Sequence, residues 1–239
     1  MTPGRFVPGG GNILTIVDHA SNYIPDGIDL GIDCALLDTH IAWDIGAAAL
    51  AESLGFPTFL ASVSRLVVDF NREQNAPEIV PSISDGIPIP GNICDPGARI
   101  ADFWIPYHRA LEDKISAMRP DMLVSLHSFT PSLSSSPGET RPWEIGILYN
   151  EDDRAARIAI PLLEAAGVIV GDQLPYSGRI LNATMNRHGE ATGTPYLGIE
   201  VRQDLIDTTD GVAKWARILL PVIEKCVKQF GSNNEEHRL

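Results

Sequence analysis

Two histidines and a glutamate stand at the ends of short apolar runs. Asp18-His19 follows NILTIV (12–17), His127 follows MLVSL (122–126), and Glu200 lies inside YLGIEV (196–201). A neutral imidazole is a common ligand of zinc, and a hydrolytic zinc keeps one position open for water. A single strand-end histidine is ordinarily a hydrogen-bonded turn residue, but two that both end apolar runs point to a metal. Asp18, Asn22 and Asp44 are the candidates for a third ligand. A carboxylate buried like Glu200 has its pKa raised, which suits a general base. Arg202, two residues on, shares its strand face, so the two either form a salt bridge or act together in one pocket.

A second cluster is SRLVVDFNR (64–72). Its centre is dry, yet Arg65, Asp69, Asn71 and Arg72 surround it. Charged groups rarely enter a core unpaired. The segment is therefore either a structural ion-pair clamp or the holder of an anion beside a reaction centre. His40 and Asp44 lie four apart on an expected helix, hence on one face.

The elements that must position these groups follow from periodicity. Strands are expected at 12–17, 56–63, 66–70, 122–126, 144–149, 167–170 and 196–201. Helices are expected at 33–54, stopped by Gly55, and at 98–118, 153–166 and 211–230. Residues 73–97 and 130–141 read as long loops, which in compact domains usually serve a function. Residues 176–193 fit no element. Tyr23, Trp43, Trp104, Trp143 and Trp215 read as core. Strands and helices largely alternate, so the class is α/β, with a mixed sheet because some neighbouring strands lack a helix between them. In open α/β sheets ligands bind at the carboxyl ends of strands. Four expected strand ends deliver polar groups there: Asp18-His19, Asp69 to Arg72, His127-Ser128, and Glu200 with Arg202.

The chain has 239 residues, 44% of them hydrophobic, enough for one domain spanning 1–239 with a core that needs no staples. A net charge of -13 without a basic stripe argues against nucleic acid. Cys34, Cys94 and Cys226 form no CxxC and read as reduced thiols of a cytoplasmic protein. No apolar run is long enough to span a bilayer. The leader 1–11 and the tail 231–239 read as loose. A GxSxG elbow and a phosphate-binding glycine loop are both missing.

HIAWDIGA, SRLVVDFNR, IPGN, PYHRAL, LHSFTP, RPWEIGILYN, PYSG and IEVRQDLI occur in an order that resembles the N-formylglutamate amidohydrolase family. The resemblance implies a three-layer α/β sandwich with a mixed, mostly parallel sheet, similar to zinc carboxypeptidases. It implies one zinc, or another divalent ion, per chain, and cleavage of N-formyl-L-glutamate to formate and L-glutamate in histidine degradation. Carried over by position, His19, Asn22 and His127 would hold the metal and Glu200 would be the catalytic carboxylate. Arg65 would stabilise the oxyanion or grip a second carboxylate, and Asp69, Asn71, Arg72 and Arg202 would bind substrate. The family pattern has Glu where this chain has Asn22. That departure keeps two rivals open: a hydrolase of another acylated amino acid or peptide, and a non-catalytic carboxylate binder. The partner is then a small carboxylate, with no nucleic acid and no membrane. Oligomeric state is not legible.

Overall fold

The structure is a computed structural model that describes residues 2–93 and 95–236, with side chains to residue 230. Cys94 and residues 237–239 lie outside the described residues. A seven-stranded sheet runs through the middle in the order β1-β3-β2-β6-β9-β7-β8. Its strands are β1 (Gly4–Val7), β2 (Ile13–Val17), β3 (Thr58–Ala61), β6 (Met122–Phe129), β7 (Ile145–Leu148), β8 (Val170–Asp172) and β9 (Tyr196–Arg202). A small hairpin, β4 (Ile83–Ser84) and β5 (Ile87–Pro88), stands apart. Strands β3, β2, β6 and β9 pair in parallel, β1 and β7 join antiparallel, and β8 runs parallel to β7. The sheet is mixed and mostly parallel, as expected.

Every residue of β2, β3 and β6 is buried, the signature of strands covered on both faces. One face is covered by α1 (Ala47–Ser53), α4 (Arg154–Ala165) and α6 (Thr209–Glu236) through Leu50, Leu163, Leu219 and Ile223. The other is covered by α3 (Ile105–Met118), which continues from α2 (Gly97–Arg99) through a π-helical turn at Ile100–Trp104. Trp104, Tyr107 and Leu111 pack there with Met185 of α5 (Ala183–His188). A third small cluster, Leu30, Ile41, Ala42, Leu66 and Ile89, pins the loops at the carboxyl edge.

Several expectations need correction. The leader contains β1, which pairs with β3, so residues 4–7 are not loose. The last helix runs to Glu236 instead of stopping at residue 230. The expected helix 33–54 forms only a 3-10 turn, Cys34–Asp38, and then α1, which stops just before Gly55, a residue with positive φ. Between them the backbone bonds elsewhere: Asp44 N–H donates to His19 O, and Ala42 O accepts from Ser64 Oγ and Arg65 N–H. Tertiary partners replace the helical ladder there, so His40 and Asp44 do not share a helix face. Residues 66–70 form no strand. Leu66 O accepts from Asn92, Val67 O from Arg99, and Phe70 O from His108 and Thr184. This buried irregular backbone is satisfied by side chains, which is how a coil survives in a core. Trp104 and Trp215 are core, whereas Tyr23 is 40% exposed. Cys34 and Cys226 are free thiols. Among the described residues no helix is long and apolar enough to cross a membrane.

Candidate active site

The carboxyl edge of β2, β6 and β9 carries the site. β2 ends at Val17, so the next two residues, Asp18 and His19, turn out of the sheet while still buried. The β6–β9 register sets His127 directly beside Glu200. Asp44 is delivered by the irregular stretch before α1, fixed by its N–H bond to His19 O at 2.9 Å.

Asp44 is the hub. Its Oδ2 lies 2.8 Å from His127 Nδ1 and 3.3 Å from His19 Nδ1. Each histidine turns its other nitrogen to a further carboxylate. His19 Nε2 is 2.7 Å from Asp69 Oδ1, and His127 Nε2 is 3.8 Å from Asp18 Oδ2. Tyr107 donates to the other oxygen of Asp18 at 2.7 Å. A carboxylate behind an imidazole fixes the proton on the outer nitrogen and leaves the inner lone pair for a metal. Here both inner nitrogens point at one carboxylate oxygen. His19, Asp44 and His127 can each offer one ligand atom, all within 4.8 Å of one another.

The electrostatics agree with a cation site. Burial and Arg65 pull the His19 pKa down, but Asp69 and Asp44 outweigh them and hold it up at about 9. His127 is raised as well: burial acts against it, and Asp44 and Glu200 prevail. Asp44 and Asp69 lie far below the usual carboxylate range, because the histidines, and Arg65 in the case of Asp69, overcome the burial that would raise them. Carboxylates that favour a proton on an imidazole favour a divalent ion in its place, with proton release. Three buried atoms here have no hydrogen-bond partner: His127 Nε2, Asp18 Oδ2 and Glu200 Oε2. The donor set therefore fits a metal ion.

Glu200 is 8% exposed, and burial raises its pKa to about 7, with Asp44 reinforcing and His127 opposing. It faces a cavity of about 280 Å³ lined also by His19, Asp44, Arg65, Asp69, Asn71, Arg72, His127 and Tyr176. Of the sequence-derived set, His19, His127, Glu200, Arg65, Asp69, Asn71 and Arg72 thus meet in one pocket. Two do not. The Asn22 amide donates to Leu37 O at 3.0 Å and to Asp38 at 3.3 Å, held by the 3-10 turn away from the histidines. Arg202 pairs with Asp204 at 2.8 Å and donates to Pro142 O and Trp143 O, outside the cavity lining.

The other charged groups have defined tasks. Arg65 bonds Asp69 at 2.9 Å and Asp44 at 3.4 Å, so it balances two carboxylates. Asp69 also accepts the Asn71 N–H, which turns the chain toward the cavity. Asn71 Oδ1 accepts from Thr184 N–H of α5, leaving its NH2 group as the spare donor. Arg72 is only loosely held, 3.8 Å from Asp69.

Three features had no strong sequence signal. Asp85, at the tip of the β4–β5 hairpin, accepts from Ser134 N–H, Ser135 N–H, Ser135 Oγ and His40 Nε2 at 2.6–3.1 Å. Burial alone would raise its pKa, but the Ser135 and Ser134 donors bring it to about 2. It ties the two long loops together at the pocket rim. Tyr176 lines the cavity, and its hydroxyl accepts from Arg141 at 3.0 Å. The loop bearing Tyr176 lies on the sheet because β7 and β8 carry glycines there. A Cβ on Gly146 would sit 2.4 Å from Leu174 O, and one on Gly171 at 2.3 Å.

No curated protein sequence matches the chain. The gene product Atu2144 of Agrobacterium tumefaciens is similar in structure, with a TM-score of 0.90, 30% identity and 97% of each chain covered. The N-formylglutamate amidohydrolase of Ralstonia eutropha JMP134 shares the fold at a TM-score of 0.71 and 16% identity, over 98% of this chain and 100% of that one. The sequence profile of one family matches residues 11–207, which includes every residue of the pocket. The chain belongs to the N-formylglutamate amidohydrolase family, hydrolases of amide C–N bonds in small-molecule substrates.

Proposed function

We propose that the protein is a metal-dependent amidohydrolase that removes the acyl group from a small N-acyl amino acid. N-formyl-L-glutamate, giving formate and L-glutamate, is the first substrate to test. The observation that carries this reading is the convergence of both histidine Nδ1 atoms on Asp44 beside a buried Glu200. His19, Asp44 and His127 would hold the ion. A divalent ion there lowers the pKa of a water and polarises a carbonyl oxygen.

The chain's own groups do the rest. Glu200, with its pKa near neutrality, accepts the proton of the attacking water, whose oxygen bonds to the acyl carbon. As the C–N bond breaks, Glu200 passes that proton to the leaving nitrogen. Asp69 holds His19 in the required tautomer through its 2.7 Å bond to Nε2. Asn71 Nδ2 and the Arg72 guanidinium grip the amino acid's carboxylate, a geometry that suits a planar fork of donors. Arg65 stays with Asp44 and Asp69 and keeps their charge balanced. The amide at position 22 no longer argues for an incomplete metal site, because Asp44 supplies a carboxylate.

The test pairs two measurements on the purified full chain. Mass spectrometry should find about one zinc per chain, and N-formyl-L-glutamate should release formate. A protein that takes up no divalent metal, even when zinc is offered, would sink the proposal.

A further inference from the structure

Arg141 is a buried cation without a counter-ion. It is 6% exposed, and among the described residues no carboxylate oxygen lies within ion-pair distance of it. Its Nη1 donates to two neutral oxygens, Thr130 O at 3.3 Å and Tyr176 Oη at 3.0 Å, and its Nε is buried with no partner. The arginines that line the pocket differ: Arg65 and Arg72 both face Asp69. A guanidinium has only donors. Burying one among neutral groups is costly unless an anion arrives.

The place of the anion follows from Tyr176. Its oxygen already accepts from Arg141, so its own proton must point elsewhere, and among the described residues no acceptor takes it. Both Thr130 and Tyr176 line the cavity, with Arg141 behind them. The free O–H of Tyr176 is thus a donor at the cavity wall, with a positive charge behind it. That charge serves a permanent anion better than a transient one, since it is unbalanced already in the resting protein. Asn71 and Arg72 line the same cavity and offer a separate carboxylate seat.

We propose that Tyr176, positioned and polarised by Arg141, forms a second carboxylate seat that selects substrates with an acidic side chain. The proposal rests on the amidohydrolase reading only for the scissile amide; the seat itself is a binding claim. Tyr176 makes the contact, and Arg141 acts through it.

The test compares isosteres that differ by one charge. Turnover is measured with N-formyl-L-glutamate and N-formyl-L-glutamine, and binding of glutarate and glutaramate by calorimetry. Wild type should prefer each acid over its amide by about 10- to 100-fold, the value of a charge-assisted hydrogen bond. Tyr176→Phe and Arg141→Gln should collapse both ratios to within about 3-fold, roughly the size of a change in one weak contact. Arg141→Lys, which keeps the charge, should retain part of the preference; that separates a charge role from a packing role. Circular dichroism checks that each variant folds. Unchanged acid-to-amide ratios in Tyr176→Phe and Arg141→Gln would overturn the seat, even with turnover intact. A wild-type protein that hydrolyses neither compound but prefers glutarate through Tyr176 and Arg141 would keep the seat and discard the reaction.

Discussion

Asp44 touches both site histidines and Arg65, and its replacement should be the most damaging for metal. Asp44→Asn should lower bound zinc well below one per chain, measured after equilibration with zinc and desalting. Asn22→Ala should keep its metal and lose only about 1 kcal/mol of stability, the worth of its hydrogen bonds to the 3-10 turn. Equal metal loss in both variants would contradict this assignment. Glu200→Gln keeps the shape and removes the proton acceptor. It should cut kcat by about 10²- to 10⁴-fold while metal content holds; near-normal turnover would exclude Glu200 as the base. His19, His127 and Glu200 were legible because each interrupts or ends an apolar run, where a polar residue needs a reason. Asp44 was only one of three candidates. Its neighbourhood has helical periodicity, and nothing local reveals that its backbone bonds to His19 instead. Tyr176 sits in a loop without periodicity, so only the folded chain brings it to the cavity that Glu200 lines, with Arg141 bonded to its hydroxyl.

At the scale of elements, the alternation of strands and helices was legible, because burial on both faces makes the strands continuously apolar. The segment 66–70, expected as a strand, was misread for the same reason. It is as dry as a strand, yet its carbonyls are capped one by one by distant side chains, which no local pattern encodes. One of those caps is a histidine pair. His108 Nε2 lies 3.0 Å from Phe70 O, and His108 Nδ1 lies 3.0 Å from His188 Nε2. Burial lowers the pKa of His108 to about 3 and of His188 to about 4, with His188 and Arg187 adding to the first and Arg187 to the second. Both folded values lie below the unfolded value near 6.5. The unfolded chain therefore takes up protons first, and stability falls as pH drops from about 6.5 toward 4. At pH 5 the pair should cost on the order of 2–4 kcal/mol relative to pH 7. The denaturation midpoint should track this fall, and the fall should shrink in His188→Gln. An identical pH dependence in the variant would rule the pair out as its source. The loops show a second device. Asp85→Ala should free the 130–141 loop from the β4–β5 hairpin, visible as faster amide exchange at 134–136. It should raise KM several-fold with a smaller effect on kcat, since Asp85 lines the rim and lies apart from the metal set.

At the scale of the molecule, a pocket at the carboxyl edge of the sheet was the natural reading of element order. The unforeseen part was how far the site is spread along the chain. Its groups come from positions 18–19, 44, 65–72, 127 and 200. Such a site is long-range by construction, and long-range contacts form slowly. The place of β9 sharpens this. Although it is the last strand, it lies between β6 and β7 and bonds to both. A ribosome making this chain releases β1 to β8 before the strand that joins the two halves of the sheet. Until residues 196–202 emerge, β6 and β7 each present an unpaired edge of buried-type residues, the kind of edge that invites association with other chains. The late strand thus governs two events at once. It closes the sheet, and it brings Glu200 to the histidines, so the nascent protein covers its open strand edges and completes its pocket in the same step.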